Sequence, residues 1–118
     1  MKALSHPDPE SISLSAVLYA LSDPIRFRIV ELLAAQDEQA CGTLDLPLAK
    51  PSMSYHIKVL REAGIVRQRV EGTQRINCLR RQELDARFPG LLDTLLRVGD
   101  GENANKCQVE GLEARAHV

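Results

Sequence analysis

The chain has 118 residues, 44% of them apolar, with 15 Lys and Arg against 16 Asp and Glu and a formal net charge of −1. This length fits one domain, the apolar share is enough for a core and argues against wholesale disorder, and no run approaches the ~18 consecutive apolar residues a membrane span needs. The three cysteines, Cys41, Cys78 and Cys107, are odd in number, far apart and form no CxxC pair, which argues against a disulfide framework.

Residues 1–10, MKALSHPDPE, carry prolines and acids and read as a flexible tail rather than a secretory leader, so a cytoplasmic protein is expected. Residues 12–21, ISLSAVLYAL, are apolar around nearly the whole helical wheel. A helix of that kind is covered on more than one face, and in so small a domain a partner subunit is a natural second cover. Asp23 and Pro24 then suit the cap and first position of a helix, IRFRIVELLAA, that places Ile25, Ile29, Leu32 and Leu33 on one face. Residues 41–49, CGTLDLPLA, are ambiguous because Pro47 shortens any helix there. Residues 51–64, PSMSYHIKVLREAG, form a helix with marked ends: Pro51 suits its first turn, Gly64 its stop, and Met53, Ile57 and Leu60 make one apolar stripe.

After Gly64 the period changes from helical to alternating. Val66, Gln68 and Val70 share one strand face and Arg67 and Arg69 the other; Glu71 to Gln74 is a turn, and Arg75 to Leu79 a second strand with Ile76 and Cys78 on one face. Leu84 to Phe88 is a short helical piece broken by Pro89-Gly90, and Leu91, Leu92, Leu95 and Leu96 mark a last amphipathic helix. From Gly99 onward the composition is polar and Gly-rich, which predicts a flexible tail over 99–118. The order helix, helix, turn, helix, hairpin, helix predicts a mainly α winged helix-turn-helix domain over 11–98.

The small net charge hides an asymmetry. Between Lys50 and Arg81 stand eight Lys and Arg against two acids, whereas the other residues hold seven basic and fourteen acidic side chains. One continuous basic segment on an otherwise acidic chain predicts a polyanion-binding face.

The segments PSMSYHIKVLREAGIV and RQRVEGTQRINCL resemble the recognition helix and wing of the ArsR-type, or arsenic-repressor-like, transcriptional regulators, and LSDPIRFRIVELL resembles that family's second helix. The pattern Ser54-x-His56-x-Lys58-x-Leu60-Arg61-x-Ala63-Gly64 followed by a wing is fairly specific, and the resemblance covers residues 12–98. It implies a homodimer built from the first and last helices, a palindromic operator in double-stranded DNA, and a repressor that leaves when an effector binds. Leu14, Val17, Leu18 and Leu21 with Leu91, Leu92, Leu95 and Leu96 are the residues available for that interface.

A helix fits the DNA major groove, and the amino-terminal residues of a recognition helix usually reach base edges. Lys50, Ser52, Ser54 and Tyr55 hold those positions; Lys58 and Arg61 lie further along and suit phosphates. The serines also suit a helix start for its own sake, and Tyr55 could instead pack on a neighbouring loop. His56, beside the apolar stripe, is either a phosphate contact or a partly buried, hydrogen-bonded histidine. In the wing, Arg69, Thr73, Gln74 and Arg75 surround the turn, where arginine suits a minor groove or flanking phosphates.

The family's metal-sensing patterns are missing. QACGTLDLPL offers Cys41 alone where two thiolates would be needed, and the last helix has Asp93 but no histidine, so no metal site and no cofactor are expected. A site assembled from Cys41, Cys107 and His117 across a dimer is the weaker alternative. Cys41 is the candidate for a thiol-based redox sensor, while Cys78 reads as a small buried hydrophobe. A winged helix used for protein interaction or RNA binding is the other alternative; nucleophile motifs, Gly-rich phosphate loops and triads are missing, so an enzyme is not expected.

Overall fold

The structure, a computed structural model, describes residues 4–36, 38–40, 44 and 46–108; at Gln39 and from residue 100 onward it describes the backbone alone. A 3-10 turn at Pro9–Ser11 leads into α1 (Leu14–Leu21) and α2 (Pro24–Ala35). Ser13 caps α1, its side chain accepting from the Ala16 N–H. Asp23 caps α2, its Oδ1 accepting from the N–H groups of Ile25 and Arg26 at 2.8 and 3.2 Å, while Pro24 supplies the preset φ of a first residue. Desolvation works against the ionised Asp23 carboxyl. The two N–H bonds and the Arg26 charge outweigh it and hold that carboxyl below its ordinary value.

A two-residue strand β1 (Gln39–Ala40), not visible in the sequence pattern, precedes α3 (Lys50–Glu62). Gly64 then stops α3 at φ +90°, a backbone conformation costly for residues with a side chain. The stop is doubly restricted, because a Cβ at Gly64 would lie 2.5 Å from Ile12 Cγ1. Strands β2 (Val66–Glu71) and β3 (Gln74–Leu79) pair antiparallel from Val66↔Leu79 to Glu71↔Gln74, and β1 adds to β3, giving the order β1-β3-β2. The short helix α4 spans Arg81–Arg87, starting three residues before its apolar pattern predicts, and α5 spans Leu91–Gln108.

Burial follows the predicted stripes. Ile29, Val30 and Leu33 of α2, Met53, Ile57 and Leu60 of α3, and Ile65 and Val66 at the start of the hairpin form one core with Ile12, Val17, Leu84 and Leu92. Each such side chain is worth about 1.5–3 kcal/mol when fully buried. Together they hold α3 down by one face and leave its opposite face outward.

The described residues of both predicted tails, 4–10 and 99–108, carry structure. Residues 4–8 lie against the sheet: the Gln68 backbone N–H donates to His6 Nε2 at 3.0 Å, and Arg61 Nε donates to the Ser5 carbonyl at 3.2 Å. At the other end the helix does not stop at Gly99 but continues to Gln108. Gly99 is buried where α5 crosses α2, and a Cβ there would lie 2.5 Å from Phe27 and 2.7 Å from Glu31. The glycine that opens the predicted tail is therefore a close-approach residue.

Candidate nucleic-acid interface

The outer face of α3 presents Lys50, Ser52, Ser54, Tyr55 and Lys58, all exposed, beside the buried Met53, Ile57 and Leu60. The cap of this helix is Ala49, which supplies no side-chain bond. The two serines are thus not spent on capping, and their hydroxyls point away from the core with the rest of the row. Without a capping side chain, the positive end of the helix is open to an anion. Tyr55 is 56% exposed and meets the His56 ring edge-on, with centroids 5.5 Å apart, rather than packing on a loop.

His56 is half-buried and faces inward. Arg26 Nη1 lies 3.5 Å from His56 Nδ1, so the imidazole acts there as an acceptor. Arg26 itself is 5% exposed, donates from Nε to the Ala20 carbonyl at 2.7 Å, and sits over the Tyr19 ring. This arginine joins the end of α1 to the middle of α3. Its role was hidden in the sequence because Arg26 lies within an ordinary amphipathic pattern.

Two arginines assigned to DNA by position are engaged elsewhere. Arg61 turns back to Ser5 and, through Nη1, to Gln68 Oε1 at 2.9 Å, so it braces the hairpin instead of facing outward. Arg69 donates to Glu38 at 2.8 and 3.0 Å and to Glu71 at 2.9 Å. The register also separates the two wing arginines. Arg69 pairs with Ile76 and Arg75 with Val70, which puts them on opposite faces of the hairpin. Thr73, Gln74 and Arg75 remain exposed at the tip, beside the Gly72-Thr73 turn.

Folding brings acids from outside the basic segment onto it. Arg67 and Arg80 both bond Glu83, at 2.9 and 2.6 Å, Arg81 meets Asp93 at 3.4 Å, and Glu38 holds Arg69. The Arg80 bond, then that from Arg67, outweighs the cost of desolvation and keeps the Glu83 carboxyl below its ordinary value. Among the described residues, the cations of the segment without an acidic or hydrogen-bond partner are Lys50, Lys58 and Arg75. The polyanion-binding charge is therefore smaller than the sequence count, and it is concentrated on α3 and the wing tip.

Cys78 lies on the outer face of β3 opposite Arg67, not inward with the core, and the inward position belongs to Asn77, which is wholly buried. Partial burial, then the Glu38 charge, pushes the Cys78 thiol up, the opposite of what a reactive thiolate needs. Cys41 and His117 lie outside the described residues, as does the side chain of Cys107. Among the described residues no group of three or more His, Cys, Asp or Glu could hold a metal ion.

The apolar faces of α1 and α5 divide in two. Val17 and Leu92 are buried within the protomer, at 2% and 5% exposure, and are core rather than interface residues. They line an apolar cleft with Leu21, Leu84, Phe88, Leu91 and Leu95, while Leu96 is half-buried. Leu14, Leu18 and Tyr19 on α1 and Val98 on α5 stay exposed. No helix among the described residues is long and apolar enough to cross a membrane.

An exposed polar helix face with an open amino end, followed by an antiparallel hairpin with a basic tip, defines a winged helix-turn-helix protein that binds DNA. Comparison with known proteins agrees. A helix-turn-helix domain model matches residues 21–69. An uncharacterised HTH-type transcriptional regulator of Bacillus subtilis, YceK, is 34% identical over 82 residues, 67% of this chain and 82% of its own. The arsenical resistance operon repressor of Staphylococcus xylosus is 34% identical over 73 residues, 61% of this chain and 70% of the relative. Among solved structures, a possible transcriptional regulator for arsenical resistance superposes with a TM-score of 0.56 at 33% identity, covering 70% of this chain and 85% of that one. The chain belongs to the ArsR family of DNA-binding transcriptional regulators and repressors.

Proposed function

We propose that the protein is a homodimeric repressor that reads a two-fold operator with α3 and the wing tip, in the cytoplasm and without catalytic activity of its own. Lys50, Ser52, Ser54 and Tyr55 enter the major groove. Lys58 meets phosphate, as does the open helix end, and Thr73, Gln74 and Arg75 meet the flanking backbone or minor groove. The observation that carries this reading is the row of exposed side chains on α3, whose serines serve no cap and whose opposite face is wholly in the core. The dimer is formed by the exposed Leu14, Leu18, Tyr19 and Val98 with the half-buried Leu21, Leu91, Leu95 and Leu96 around them. Covering these residues removes apolar surface from water at about 25 cal/mol per Å².

Selection of bound DNA from a random pool tests the reading. An inverted repeat with its half-sites about one helical turn apart is expected, because a two-fold dimer places its two recognition helices that way. A single unrepeated site, or no enrichment, contradicts it. The effector acts by changing the distance or tilt between the two α3 helices. Cys41 is the candidate thiol for such a signal, and unchanged operator release by peroxide in Cys41→Ser removes it.

A further inference from the structure

The segment from Leu4 to Asp8 meets β2, an edge strand of the sheet, at Gln68. Two hydrogen bonds tie it to α3 and β2, and two more join those partners to one another and to β3. Gln68 N–H donates to His6 Nε2 at 3.0 Å, and Arg61 Nε donates to the Ser5 carbonyl at 3.2 Å. Arg61 Nη1 donates to Gln68 Oε1 and Gln68 Nε2 donates to Asn77 Oδ1, both at 2.9 Å. Gln68 and Asn77 are 4% and 0% exposed. The amino-terminal segment, the last turn of α3 and both long strands of the wing are thus fastened at one place.

An edge strand exposes backbone N–H groups that need an acceptor. Another strand would supply a carbonyl, which accepts at every pH. Here the acceptor is an imidazole nitrogen, which accepts only while it carries no proton. The bond to Gln68 therefore requires neutral His6 with its proton on Nδ1. A second proton would set an N–H against an N–H and add a positive charge among arginines. The charged groups around the ring are Arg61 of α3, Arg67 of β2 and Arg80 between β3 and α4; the carboxylate of Glu83 on α4 is already bonded to Arg67 and Arg80. Burial first, then Arg67, Arg61 and Arg80, hold His6 below its ordinary value of 6.5 against an opposing bond at Leu4.

We propose that the amino-terminal segment is a proton-released strap: with His6 neutral it clamps the wing edge to the recognition helix, and protonation of His6 unfastens it, so that Arg61 Nε loses Ser5 while Arg61 Nη1 keeps Gln68. This device depends on the fold alone and not on which bases α3 reads. A histidine held below its unfolded value contributes stability that is complete above about pH 6.5 and is lost as pH falls through its folded value. The strap is therefore closed at neutral pH and opens on acidification.

Nuclear magnetic resonance of the full chain from pH 7.5 to 4.5 tests the strap, following the His6 ring together with amide hydrogen exchange corrected for intrinsic rates. The Gln68 amide is expected to lose about tenfold protection, the worth of one hydrogen bond, with the same midpoint as the His6 ring. In His6→Ala the Gln68 amide should be unprotected by that factor already at pH 7.5. The Arg80 amide, which donates to the Ile65 carbonyl just beyond the Val66–Leu79 end of the hairpin, should keep its protection and so separate strap release from acid unfolding. Gln68 protection that ignores the His6 titration in the wild-type chain overturns the proposal even where the variant folds poorly. Equal Gln68 protection in the two proteins at pH 7.5 overturns it as well.

Discussion

The affinity for operator should fall with salt more gently than the basic segment of the sequence implies. Each phosphate neutralised by a Lys or Arg contributes about −0.9 to the slope of log K against log salt. Lys50, Lys58 and Arg75 are the cations of the segment without a partner among the described residues, so a dimer offers at most six charges to neutralise phosphates and a slope no steeper than about −5. Affinity should then drop by no more than roughly a thousandfold between 50 and 200 mM salt. If all eight basic residues from Lys50 to Arg81 were available, the slope would be about −14. Lys58→Gln removes two contacts per dimer and should flatten the slope by about 2 while weakening all DNA sequences alike. Fluorescence anisotropy of a labelled operator across a salt series measures both quantities. A slope near −14, or one unmoved by Lys58→Gln, refutes the account of which cations face DNA.

Glu38→Gln should partly release Arg69, raising affinity for random DNA and steepening the salt slope by up to about 2 per dimer, which the same anisotropy titration reads. Asp23→Ala removes the cap of α2 and should cost about 1 kcal/mol at pH 7 in a denaturant titration. Because the Asp23 carboxyl is held below its ordinary 3.8, that stability is present above this value, and the gap between variant and wild type should close as pH falls below it. Gly99→Ala should lower the melting temperature by several degrees: the clash with Phe27 and Glu31 outweighs the ~1 kcal/mol gained in helix propensity, and a higher melting temperature would mean that α5 does not cross α2 there. Cys78, with its thiol pushed up, should alkylate more slowly at pH 7 than an unfolded peptide carrying the same residues and catch up as pH rises, as peptide mapping after timed alkylation would show.

The helices and the hairpin were legible because their signals are local. Met53, Ile57 and Leu60 recur at the helical period, Gly64 stops the helix, and Val66, Gln68 and Val70 alternate. The outward row on α3 follows at once, since the residues off a buried stripe must face away from it. What the pattern did not give is what pairs across distance. Glu38 meets Arg69, Glu83 meets Arg67 and Asp93 meets Arg81 only after the chain has folded back, so a running charge count overstates the free charge. The inward side of β3 was misread for a related reason. Ile76 and Cys78 are the apolar residues, but the Gly72-Thr73 turn sets a register that pairs Asn77 with Gln68 and turns Ile76 and Cys78 outward with Arg69 and Arg67. Asn77 can be buried because Gln68 donates to it. The docking of residues 4–8 depends on single hydrogen bonds donated to His6 by Gln68 and to Ser5 by Arg61, which leave no periodicity, and the contact of Gly99 with α2 is one that a composition-based reading cannot see.

The central claim is that the outward face of α3 reads base edges. It is tested most directly by the ratio of operator affinity to random-DNA affinity, measured at one salt concentration for the wild-type chain and for Ser52→Ala with Ser54→Ala. Base contacts are worth about 1–3 kcal/mol each, so the ratio should fall at least about tenfold while random-DNA affinity stays unchanged. An unchanged ratio, with the operator still bound as tightly, contradicts the claim.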